Sequence, residues 1–161
     1  ITMFKIWVDA DSCPSEARKI ILKASTRLNL PIIFVANRDI PIKSKEKINT
    51  DLFTMIKTPS LPDAADNYIV ENATEKDLVI TRDIPLANRL VEKNISVIND
   101  RGTKFTQNNI KELLSIRNFN HELAQIGITG EKVKNYGQKE IAKFSNCLDK
   151  ELQIKIKNNN N

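Results

Sequence analysis

The sequence predicts an α/β fold of three layers, with a mostly parallel five-stranded sheet and C-terminal helices added to it. Three observations carry this. Short β-branched apolar runs alternate with stripes of helical spacing. Two of those runs end at an acid followed by a proline suited to a first helical turn. And 161 residues suffice for one buried core without disulfides.

Lys5 to Asp9 is apolar and too brief for a helix, so it reads as a buried first strand, closing on Asp9 and Asp11. From Pro14 to Leu28, Ala17, Ile20, Ile21, Ala24 and Leu28 form a helical stripe that Asn29 is placed to end. Pro31 to Ala36 is a second buried strand, and the lysine-rich stretch from Asn37 to Asn49 a loop. Leu52 to Ile56 is the third strand, and Pro59 and Pro62 keep the next connection extended. Asp63 with Asp66 three residues on marks a helix start. Asp77 to Thr81 is the fourth strand, and Pro85 opens a helix through Lys93. Ile95 to Ile98 is the fifth strand. From Thr106 the pattern is helical to Ile126, breaks at Gly127 and Gly130, and resumes from Gln138 to Leu152. Residues 1–152 are thus expected to form one α/β domain with 106–152 as a helical appendage. The asparagine-rich stretch 153–161 is expected to be disordered.

Cys13 and Cys147 lie far apart and have no metal-ligand spacing, which fits a reducing cytoplasm and no disulfide-linked partner. No run reaches the roughly 20 apolar residues of a membrane span, and the first residues lack the plan of a signal peptide. The net charge of +5 favours an anionic partner. A single histidine, His121, in a polar helical stretch weighs against a histidine triad or zinc centre, and no glycine-rich phosphate loop is present. Cys13 reads as a small buried thiol and Trp7 as a core residue.

If the first strand is central and the fourth lies beside it, Asp9, Asp11 and Asp83 share one crevice at the carboxyl ends of the strands, where such sheets bind ligands. The helix opening at Asp63 can bring Asp66 to the same rim. Each acid also has a plain structural role open to it: Asp11, Asp63 and Asp83 can all cap helices. Asp9 ends its strand too early for that. Gathered carboxylates repel by about 4 kcal/mol per pair at 4 Å and an effective dielectric of 20, so a cluster of them calls for a cation. Mg²⁺ or Mn²⁺, hard ions that take oxygen ligands, fit the donor set.

The motifs Trp7 to Pro14, Asp63 to Val70 and Asp77 to Ala87 resemble the YaiI/YqxD family of uncharacterised bacterial proteins. The match continues through Arg101-Gly102, Asn109-Ile110, Gly127 to Gly130 and Phe144 to Leu152. The Gly130-Glu131 pair departs from it, where the family tends to continue with a second glycine and a proline. The family is similar in its acidic layout to PIN-like nucleases, which implies metal-dependent cleavage of RNA in the cytoplasm. The resemblance implies Asp9, Asp11, Asp66 and Asp83 as metal-binding and catalytic acids, Asp63 as a further metal-binding member, and Asn67 as a residue that orients them. On this reading Asp9, Asp66 and Asp83 hold metal directly or through water, and Asp11 serves a second ion or the attacking water. Arg38, Lys43, Lys45, Arg82 and Arg101 are the candidates for holding phosphates. Two rivals stay open. One is a haloacid-dehalogenase-type phosphatase with Asp9 as nucleophile, although that pattern expects Thr or Val where Cys13 stands. The other is a non-catalytic RNA-binding module.

Overall fold

A computed structural model describes residues 4–42, 48–129 and 135–159. Lys43, Lys45, Gly130 and Glu131 lie outside them.

Ile6–Asp9 forms β1, and a 3-10 turn, Ala10–Ser12, joins it to α1, Ser15–Leu28. Asn29 takes the left-handed conformation, φ 56°, that ends α1, as its residue type favours. Then come β2 Ile32–Ala36, β3 Phe53–Lys57, α2 Ala64–Asn72, β4 Leu78–Ile80, α3 Ile84–Glu92 and β5 Ser96–Ile98. The chain continues with β6 Lys104–Phe105, α4 Gln107–Gln125 and α5 Gln138–Asn159. The sheet order is β3-β2-β1-β4-β5-β6, parallel except for β6 against β5.

Alternation along the strands separates two cores. Ile6, Val8, Ile32, Phe34, Leu78 and Ile80 face Ile21, Leu22, Phe144 and Leu148 of α1 and α5. Trp7, Val35, Val79 and Val97 face Ile69, Leu86, Leu90 and Ile110 of α2, α3 and α4. The sheet is therefore sandwiched between helices, as expected. A buried carboxylate pins the second face. Asp77 accepts hydrogen bonds from the Trp7 indole at 3.0 Å, the Lys5 amide at 2.9 Å, and both the amide and hydroxyl of Thr74.

Two expectations are corrected. The sheet has a sixth strand, too short at two residues to leave a period in the sequence. And α5 does not give way to disorder after Leu152. Ile156 continues the i, i+4 row of Phe144, Leu148 and Leu152 against the core, and the Lys155 amine donates to the Glu75 carbonyl at 3.0 Å. Among the described residues no helix is long and apolar enough to cross a membrane.

A candidate acidic site at the carboxyl edge of the sheet

The strand order places β1 between β2 and β4, so the winding direction of the sheet switches beside it. With Val8 opposite Ile80, the next residues of the two segments, Asp9 at the end of β1 and Thr81 just past β4, meet across the ladder. The Thr81 hydroxyl donates to Asp9 Oδ2 at 2.8 Å and accepts from the Asp83 amide at 3.0 Å. The Ser12 hydroxyl also donates to Asp9 Oδ2, at 3.1 Å. No side-chain oxygen buried among the described residues lacks a partner, and Oδ1 of Asp9 has none, so Oδ1 reaches solvent although Asp9 is only 6 % exposed.

A cleft of about 430 Å³ opens here, lined by Asp9, Asp11, Ser12, Asn37, Asp63, Asp66, Arg82 and Asp83, with Leu61 at its margin. All five expected carboxylates border it, each held differently. Asp83 caps α3, accepting from the Leu86 amide at 3.0 Å, while still lining the cleft. Asp63 occupies the cap position of α2 in a left-handed conformation, φ 61°, and its side chain makes no capping bond. Asp66 stands in the first turn of α2. Asp11 does not cap α1. Its two oxygens accept from the Asn37 amide at 2.9 Å and Arg38 Nε at 3.3 Å.

No ion pair joins a described residue to Asp9, Asp63, Asp66 or Asp83. The electrostatic cost is visible in two of them. Burial pushes the Asp66 carboxyl up to about 6, with the charges of Asp83, Asp9 and Asp63 adding to it. Burial raises Asp9 as well, opposed by the Thr81 and Ser12 hydroxyls and reinforced by Asp83 and Asp11. Among the described residues no group of three or more acids, histidines or cysteines is gathered closely enough to clasp a metal ion by itself. The carboxylates fit a hard ion that keeps much of its water and takes one or two protein oxygens plus substrate phosphate.

The other candidates fall in different places. Asn67, expected to orient the acids, accepts from Arg89 Nη1 at 2.9 Å instead. Arg38 reaches the site through Asp11, and Arg82 is in the cleft wall. Arg101 lies over the Tyr136 ring at 5.9 Å and 3.8 Å from Glu140, outside the cleft lining. Cys13 is buried and its thiol pushed up to about 12, which disarms it as a nucleophile. Sequence reasoning missed Thr81, Ser12 and Asp100. Asp100 follows β5 as Asp9 closes β1, so an acid at a strand end was the available signal. For the hydroxyls only the strand pairing identifies a partner.

Residues 7–154 match a family model described as "Uncharacterized BCR, YaiI/YqxD family". A UPF0178 protein of Treponema denticola is 53 % identical over 153 residues, 95 % of this chain and 94 % of the relative. UPF0178 proteins of Treponema pallidum and Syntrophobacter fumaroxidans are 42 % and 40 % identical, over 91 % and 95 % of this chain and 80 % and 97 % of theirs. No solved structure matches the chain.

Proposed function

Because the chain belongs to the YaiI/YqxD family of uncharacterised bacterial proteins, we propose its function from the cleft: divalent-metal-dependent hydrolysis of phosphodiester bonds, with RNA as the substrate. One observation carries this reading. Four carboxylates from β1, α2 and the start of α3 line a single hollow at the switch point, and no cation among the described residues is paired to them. That arrangement costs folding energy, which a bound cation would offset.

Asp9, Asp66 and Asp83 would hold Mg²⁺ or Mn²⁺, one or two of them directly and the rest through its water, with Asp63 at the rim. Such an ion supplies charge neutralisation at the phosphoryl group and a lowered pKa for bound water. The protein's part is positioning. Thr81 and Ser12 occupy Oδ2 of Asp9 and leave Oδ1 to the solvent. Thr81 also ties Asp9 to the backbone of Asp83, so the acid ending β1 and the acid capping α3 keep one spacing. Asp66, whose carboxyl burial and the neighbouring acids lift to about 6, is the acid whose ionisation a bound cation would favour most. The ion-paired Asp11 fixes the 37–38 segment at the cleft wall.

The test is hydrolysis of a mixed-sequence RNA with Mn²⁺, comparing wild type with Asp9→Asn. Cleavage should depend on the metal and drop by at least about a hundredfold in the variant. Equal rates sink the nuclease reading. RNA binding without cleavage favours the non-catalytic module, and phosphoryl labelling of Asp9 favours the phosphatase.

A further inference from the structure

The guanidinium of Arg82 stands in a cleft with four carboxylates that no described residue ion-pairs, yet it bonds to none of them. It turns to Asp100, with Nη2 to Oδ2 at 2.6 Å and Nε to Oδ1 at 3.4 Å. The physical reason is burial. The Asp100 side chain is only 3 % exposed and needs a counter-charge far more than a solvated acid does. A two-point fork also fixes the guanidinium plane, which a single contact would not.

This pairing uses one edge of the guanidinium. Of its five N–H donors, those on Nη1 and the second on Nη2 have no partner among the described residues. The side chain is 41 % exposed and lines the cleft. Asp100 is itself held from the far side. The Tyr136 hydroxyl donates to its carbonyl at 2.7 Å, and Arg101 lies over the Tyr136 ring and against Glu140 in the first turn of α5. A line of contacts thus runs from the start of α5 through Tyr136 and Asp100 to the cleft wall.

We propose that Asp100 is a positioning residue that holds Arg82 as the receptor for a non-bridging phosphate oxygen of a single-stranded RNA, with Tyr136 setting its place from α5. This rests on the phosphodiester reading above and adds to it the group that receives the substrate's charge. A phosphate entering this cleft meets repulsion from every acid in it. A mobile arginine would fall onto those acids and be lost to the substrate. One tethered by a buried carboxylate stays available, its ordering cost already met in folding.

The test is fluorescence anisotropy of a fluorescein-labelled, mixed-sequence single-stranded RNA, with Ca²⁺ present to offset the acids, across a KCl series. Losing one phosphate contact on a single strand lowers the slope of log Kd against log salt by about 0.7. Arg82→Ala should show that loss and bind about tenfold more weakly at low salt. Asp100→Asn should match it, and the double variant should add nothing, because Asp100 acts only through Arg82. Tyr136→Phe, which removes one hydroxyl, should lower the slope in the same direction and carries the test if Asp100→Asn does not fold. Additive single effects, or a wild-type slope in Arg82→Ala, overturn the proposal while leaving the nuclease reading standing. No binding by wild type at all overturns both.

Discussion

Replacing Asp66 by Asn should stabilise the protein at neutral pH and leave it unchanged in acid. Burial first, then Asp83, Asp9 and Asp63, lift this carboxyl to about 6 from the ordinary 3.8, and Arg89 opposes only part of that. The folded chain therefore keeps its proton at pH values where the unfolded chain has released it. Stability falls as pH rises through the interval from about 3.8 to 6, and the loss is complete above it. At 1.36 kcal/mol per tenfold the whole difference would be about 3 kcal/mol. The side chain is only half-buried, and solvent screening reduces this to about 1 kcal/mol. In a chain of this size that is about 3 °C in Tm. The assay is urea unfolding followed by Trp7 fluorescence at about pH 3 and about pH 8, on either side of the interval. Asp66→Asn should unfold later than wild type at the higher pH and together with it at the lower. Adding Mg²⁺ should stabilise wild type more than the variant, by mass action on the folded state. A variant less stable at the higher pH, or shifted equally at both, would refute the idea that this acid is held at a cost for the sake of the cleft.

Other outcomes follow from the scaffold. Asp77→Ala strands the buried Trp7 indole and takes the acceptor from three half-buried donors, the Lys5 amide and the amide and hydroxyl of Thr74. It should cost about 4 kcal/mol in urea unfolding and leave RNA hydrolysis by the surviving folded fraction intact. Gly102 has φ +84°, and a Cβ there would stand 2.7 Å from the Lys143 carbonyl of α5. Gly102→Ala should therefore lose about 3 kcal/mol, with amide exchange accelerated along residues 138–159 as α5 is pushed off the sheet.

The sequence by itself determined the elements other than the two-residue β6, and their inward faces, because burial within one strand or helix is written as a local period of two or of 3.6. It also placed Asp9 and Asp83 at element ends, and the cleft acids there were legible before any coordinates. The end of α5 was hidden because one isoleucine among lysines and asparagines gives no stripe when read from the tail alone. Only its alignment with Phe144, Leu148 and Leu152 makes it an anchor. What the tertiary structure decided is partnership. Thr81 lies 72 residues from the acid it serves, and the sheet order that joins them is a property of the whole packing. The same holds for the charges. Arg38 goes to Asp11, Arg82 to Asp100 and Arg89 to Asn67, leaving four acids of the cleft without an ion-paired cation among the described residues. A carboxylate's counter-ion depends on which neighbour is more deeply desolvated, and desolvation exists only once the chain has closed around it.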